Sequence, residues 1–298
     1  MAYFLQQLAN AVPVAALYAL LAFGYAIAFA VTRRADLTYG ALFAFSGQMF
    51  VLFFDVGWSR LWLVLPAALV FAAVMALIYS IGAGLFVART IMRPLAFSSA
   101  NTVLVAALWL VLVLMETARL ASDTRSLWLP PFLNGPLVLW QNPVFPVTLT
   151  VIQVINTALM ALIVVAGHFL ISRSRWGRWW RAVAEDRKAA ELCGIDSTRV
   201  YIAAYGAAVL VASTGGILAT AYYGNMDFGA GLVFGVKVLF IAAIGGQATP
   251  VLAALGGAGL GFVETLWNAY GDFLWRDPVI FSLLVLLLVL TRQEKAIP

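Results

Sequence analysis

One cysteine, Cys193, and one histidine, His168, are the only thiol and imidazole groups among 298 residues. An internal disulfide is therefore excluded, and a thiolate or imidazole metal centre has almost nothing to draw on. Charge is scarce too. Asp, Glu, Lys and Arg together make 10% of the chain, where a soluble domain carries about a quarter. No stretch fits the Gly-x-x-x-x-Gly-Lys-Ser/Thr phosphate cradle, because Lys188, Lys237 and Lys295 all lack the preceding glycine frame. ATP binding by that route is excluded, and any use of ATP requires a partner. The segment 1–32 holds no lysine or arginine, so the basic head of a cleavable signal is missing. Its apolar run is also too long for a signal core, and Arg33-Arg34 follow it as they would a retained first span.

What the chain has instead is apolar surface. It is 64% hydrophobic, with a mean hydropathy of +0.97. One globular core cannot hide that much, since a water-facing surface still has to be covered with polar groups. Lipid is the solvent for most of this protein. The net charge of +5 suggests a nucleic-acid partner only until position is considered. The basic residues cluster at the ends of apolar runs, as orientation signals do in membrane proteins. No nucleic-acid role is expected.

Crossing a ~30 Å hydrocarbon core takes roughly twenty apolar residues in a helix. Runs of that kind are read at 10–31, 37–54, 61–87, 97–115, 146–171, 200–222, 230–245, 250–267 and 278–291. The expected fold is an all-α polytopic membrane protein with about eight to nine spans. The Gly-rich stretch 230–261 is expected to hold broken or re-entrant helices, which need protein or water over their freed backbone groups. The whole of 1–298 reads as one transmembrane domain. Arg173, Arg175, Arg178, Arg181, Arg187, Lys188 and Arg199 follow the fifth run. Placing them in the cytoplasm puts Arg33-Arg34, Arg89 with Arg93, and the tail with Arg292 and Lys295 on the same side. The N-terminus then lies outside and the C-terminus inside, which agrees with nine crossings. Segment 116–145, with Pro130, Pro131, Gly135 and Pro136, reads as a structured external loop.

Enzymatic motifs are weak. His168 lies near the end of the fifth run beside Arg173, with no nucleophile motif near it in sequence. Tyr270-Gly271-Asp272 lacks a matching aspartate motif and reads as a solvated turn. The stretch 178–196 carries more information. Good helix formers fill 182–193, and Gly194 stands where a left-handed residue would end a helix. Ala182, Ala189, Leu192 and Cys193 fall near one face, and Ile195 is placed to fold back over the last turn. Such a helix suits either an anionic lipid surface or a protein groove, and composition leaves the two open.

Ala184-Glu185-Asp186, Ala190 and Gly194-Ile195-Asp196 resemble the coupling loop of the branched-chain amino acid ABC transporter permeases. Gly24-Tyr25, Arg93-Pro94, Phe234-Gly235-Val236-Lys237, Gly245-Gly246 and Gly256-Gly257 through Glu264 also follow that family's order of landmarks. The resemblance implies an ABC importer permease of the bacterial inner membrane. It would pair with a second related permease or with a copy of itself, and take ligand from a periplasmic binding protein. Two cytoplasmic ATPase subunits would bind the ATP, and this chain would hold no cofactor. The loop at about 173–199 would couple to those ATPases through Ala184, Glu185, Asp186 and Gly194. Branched-chain amino acids lead as substrate by resemblance, ahead of urea, short amides and small carboxylates. An ion-gradient-driven transporter of a small solute is the alternative, and a non-transporting scaffold a third class.

The chain departs from that family where helices break. Members often read Asn-Phe-Ala-His-Gly where this chain has Asp36-Leu37-Thr38-Tyr39-Gly40, and Ala248, Thr249 and Leu252 replace Gly, Ser and Gly. Tyr39, Gly40, Lys237 and Glu264 are the candidates for a translocation path. An intramembrane lysine is costly, about 2.5–3.5 kcal/mol on insertion scales. Lys237 therefore either lines a pathway or pairs, Glu264 being the nearest candidate partner.

Overall fold

The computed structural model describes residues 2–95, 98–141, 146–244 and 249–291. Each expected apolar run is met by a helix: α1 (Ala2–Thr32), α2 (Thr38–Asp55), α3 (Leu65–Val87), α5 (Ala100–Ala121), α6 (Val151–Arg173), α9 (Ser197–Tyr223), α10 (Ala230–Ile244), α11 (Pro250–Tyr270) and α12 (Arg276–Thr291). Seven are long and apolar enough to cross a membrane. The described parts of α10 and α12 extend about 22–24 Å at 1.5 Å per residue. A π-helical turn at Ala88–Met92 carries α3 into the single turn α4 (Arg93–Leu95).

The bundle is layered by burial. In α2, 78% of the most apolar stretch is enclosed by protein, but only 17% in α6. α2 is thus central, and α6 presents most of its surface outward. α1 packs along α11, α9 and α6, while α2 packs on α9, α3, α10 and α5. α3 shows why such packing forms without a hydrophobic drive between helices. Its buried face is Ala68, Ala72, Ala76, Ser80 and Gly84, a small residue at every fourth position. Val70, Val74, Ile78 and Phe86 lie exposed on the same helix. Small residues let backbones approach, and dispersion and interhelical hydrogen bonds then hold them. Ser80 Oγ lies 2.7 Å from Ser213 Oγ, and Ser46 Oγ donates to the Ser213 carbonyl at 3.0 Å, all buried.

Several sequence expectations are corrected. The fourth run begins at Ala100 and continues to Ala121, six residues past its expected end. The segment 116–145 contributes a strand, β1 (Pro136–Trp140), paired antiparallel with β2 (Val147–Thr150). The next helix therefore starts at Val151, not at 146. Thr150 defines that start, because its hydroxyl accepts from Gln153 N–H and Gln153 Oε1 accepts from Thr150 N–H, a capping box. The third run loses its first residues: 61–64 are non-helical, and Pro66 sits in the first turn of α3. Gly245, Gly246, Ala248 and the tail with Arg292 and Lys295 lie outside the described residues.

Candidate functional site

The expected 182–193 helix is two helices, α7 (Arg175–Glu185) and α8 (Arg187–Leu192), broken at Asp186. Asp186 has extended backbone angles, and its carboxylate accepts from Lys188 N–H at 2.8 Å and Ala189 N–H at 3.1 Å. Ending one helix and capping the next is what an aspartate does well, because its short side chain competes for backbone donors. Gly194 has φ +81°. Its N–H donates to the Glu191 carbonyl, and Ile195 N–H donates to that of Ala190, the paired bonds of a left-handed helix end. Ile195 packs onto the cluster containing Ala190.

The face chosen for burial differs from the one expected. Trp180, Val183, Ala184 and Ala190 are buried, whereas Leu192 is 90% exposed and Ala189 and Cys193 lie open beside it. Trp180 explains the choice. Its indole N–H donates to the Ile27 carbonyl at 2.9 Å, and the Arg33 guanidinium donates to the Ala184 carbonyl. Both bonds tie α7 to the end of α1. Asp196 caps α9 through Thr198 and Arg199 N–H, and Ser197 and Arg187 both bond Glu191. Those two contacts, Ser197 foremost, hold the Glu191 carboxyl below its usual range. Ala184, Glu185, Asp186 and Gly194 therefore all lie on the α7–α8 unit. Glu185 is exposed there, while Asp186 is occupied as a cap.

Basic segments far apart in sequence converge at this end. Arg33, Arg89, Arg93 and Arg187 line one open cavity of about 940 Å³, together with Glu185 and Tyr201. Sequence reading grouped these arginines on one side of the membrane but missed their shared cavity. The four-residue spacing of Arg89 and Arg93 was the available signal.

The four translocation-path candidates fall in three settings. Gly40 is a packing position: a Cβ there would lie 2.3 Å from Gly235 Cα and 2.5 Å from the Gly231 carbonyl oxygen on α10. Tyr39 turns the other way, with its ring edge-on to Tyr25 at 5.6 Å and its buried hydroxyl without a partner among the described residues. It borders a narrow cavity with Tyr25, Asp36 and Tyr205. Asp36 accepts from Thr38 N–H at 2.8 Å and from the Tyr205 hydroxyl at 2.9 Å. Enclosure pushes its carboxyl up, and the hydrogen bonds from Thr38 and Tyr205 pull the other way.

Lys237 and Glu264 pair. Lys237 Nζ is 2.9 Å from Glu264 Oε1 and 3.3 Å from Asp277 Oδ1. Tyr18 Oη donates to Glu264 Oε2 at 2.7 Å, and Arg276 bridges to Asp277 at 3.2 Å. Two cations and two anions from α10, α11 and α12 thus neutralise one another. On α11, Gly257 and Gly261 sit against α1 at Tyr18 and Ala15, whereas Gly259 faces open space. Among the described residues no three His, Cys, Asp or Glu side chains are grouped to hold a metal. His168 is exposed, and Asp272 accepts from Leu274 N–H in the turn before α12.

Comparison with known proteins joins these features. Residues 7–290 match the family described as the permease component of the branched-chain amino acid transport system. The chain is 30% identical over 291 residues to the high-affinity branched-chain amino acid transport system permease protein LivH of Escherichia coli (strain K12), covering 96% of this chain and 93% of the relative. It is 28% identical to the corresponding protein BraD of Pseudomonas aeruginosa, covering 96% and 94%. The ribose import permease protein RbsC of Escherichia coli (strain K12) is 26% identical over 145 residues, covering 46% and 44%. No solved structure matches.

Proposed function

The chain belongs to the branched-chain amino acid transport permease family, and from that premise we propose that it is the membrane subunit of an ATP-driven importer for branched-chain or related small amino acids. It is a multi-pass membrane protein and a transport component, not an enzyme. ATP is bound and hydrolysed by two partner subunits at the arginine-rich end, which faces the cytoplasm. The N-terminus and the 116–145 segment face the periplasm, where a binding protein delivers the ligand. A second permease, related or identical, completes the pore.

The observation that carries the coupling role is the α7–α8 unit. It projects Leu192, Ala189 and Cys193 unburied at its tip while Trp180 and Arg33 bolt its base to α1. An apolar tip on a rigid mount suits a groove on a partner protein. Force applied there passes through Ile27 and Ala184 into α1, which packs along α11 and α9. Contacts that differ between the ATP-bound and ATP-free partner then bias the bundle between inward and outward access. Nothing in this route requires a charged relay. Lys237 and Glu264, the buried ionisable pair that an ion-driven transporter would exploit, satisfy each other.

Uptake of leucine into vesicles containing the chain, its partner permease and the ATPase subunits is expected to require ATP and the binding protein. Uptake that persists without nucleotide and collapses with an uncoupler overturns this reading. Calorimetry on the binding protein with leucine, short amides and urea identifies the ligand class.

A further inference from the structure

The cavity at the arginine-rich end has walls from four parts of the chain: the end of α1, the π-helical turn and α4 after α3, the α7–α8 junction, and the start of α9. Four guanidinium groups face one carboxylate, Glu185, so the lining carries a net excess of positive charge. Arg33 is engaged with the Ala184 carbonyl, and Arg187 with Glu191 and Ser197. The guanidinium groups of Arg89 and Arg93 have no hydrogen-bond or ion-pair partner among the described residues. Like charges four residues apart on a helical segment repel. A conformation that holds them together beside two further arginines is stabilised by an anion.

The surroundings indicate which anion. Arg89 and Arg93 directly continue α3, whose outward face is Val70, Val74, Ile78 and Phe86. A lipid with its chains against that face has its phosphate at the level where the helix ends and the arginines begin. Guanidinium groups match phosphate oxygens in a fork geometry that an ammonium lacks. Basic pockets between membrane helices recognise acidic headgroups in this way. We propose that this cavity is a binding site for the phosphate headgroup of an anionic phospholipid, held chiefly by Arg89 and Arg93. Arg33 and Arg187 supply further positive field, and Glu185 disfavours anions on the α7 side. Occupancy would brace the α3 end against α7, linking the lipid to the same mount that carries the exposed tip of α8.

The test uses the full-length protein in nanodiscs of phosphatidylcholine with a minority of phosphatidylglycerol, with lipid retention read by native mass spectrometry. Wild type is expected to retain phosphatidylglycerol selectively and to lose it as salt rises, because screening weakens the attraction. Arg89→Gln with Arg93→Gln should retain it on the order of 25-fold less tightly, about fivefold for each arginine. Arg89→Lys with Arg93→Lys should hold an intermediate amount and shows that the site folds. Arg125→Gln, outside this cavity, should match wild type. Three outcomes overturn the proposal. One is salt-independent or unselective retention by wild type. Another is inorganic phosphate displacing the lipid at equal concentration, which makes the site one for a free anion. The third is unchanged lipid retention in the Gln pair with loss of ATPase co-purification, which makes the cavity part of a protein interface.

Discussion

Lys237 Nζ lies 2.9 Å from Glu264 Oε1, and both side chains are buried between α10 and α11. A buried pair adds little over an apolar pair of the same shape, but removing one member leaves an uncompensated charge. Lys237→Met is therefore expected to destabilise the protein by about 3 kcal/mol, and Lys237→Met with Glu264→Gln to recover most of that loss. Thermal unfolding in detergent measures both. Equal losses in the single and double variants would show that the pair is not what makes Lys237 necessary.

Gly40→Ala places a methyl group where the α10 backbone already lies, at Gly235 Cα and the Gly231 carbonyl. Backbone cannot move aside as a flexible side chain would, and overpacking of this kind costs about 1–3 kcal/mol. Gly259→Ala meets nothing within 4 Å and should be neutral or slightly stabilising, since alanine is the better helix former. Comparing the two unfolding temperatures separates close packing from a general need for glycine.

The tip and the caps of the α7–α8 unit should fail differently. Leu192→Asp puts a charge on an exposed tip, so it should leave stability within about 0.5 kcal/mol while sharply lowering ATPase co-purification and substrate-stimulated hydrolysis. Glu185→Lys should act on the same readouts through charge alone. Asp186→Ala removes two hydrogen bonds that start α8 and should cost about 1 kcal/mol before any effect on coupling. Gly194→Val forces a β-branched residue to φ +81° and should disorder the same end. If Leu192→Asp and Glu185→Lys assemble and stimulate normally, α8 is not the docking element.

Asp36 gives a pH prediction. Enclosure raises its carboxyl above the ordinary carboxylate value, against the opposing hydrogen bonds from Thr38 and Tyr205. The folded chain therefore binds this proton more tightly than the unfolded chain. The stabilising contribution is complete below the ordinary value of about 4 and is lost as pH rises through the raised folded value. Asp36→Asn keeps an acceptor for Thr38 N–H without the charge, and it is the residue the resembling family often has there. It should be more stable than wild type at pH 7, with the advantage shrinking toward pH 4. Unfolding temperatures of both proteins across that range check the sign.

Composition alone determined the solvent, because a chain this apolar has no other stable environment. The nine helical runs were legible from run length, and the basic end from the arginines that bound the runs. The turn at Gly194 was legible too, since few residues other than glycine tolerate its backbone angles. The break at Asp186 was not, because 182–193 is filled with good helix formers and propensity sees no reason to stop. The structure breaks the helix there because Asp186 takes extended backbone angles and its carboxylate accepts from the N–H groups that start α8. The pairing of Lys237 with Glu264 was nameable, but Tyr18, Arg276 and Asp277 entered it unannounced from two other places in the chain. The alanine stripe of α3 lay in plain view at Ala68, Ala72 and Ala76, yet small residues at helical spacing do not say which helix they meet. Sequence determined what each segment must hide or expose, because those demands are local. Which segment answers the demand depends on contacts between residues hundreds of positions apart, and only the tertiary structure decides those.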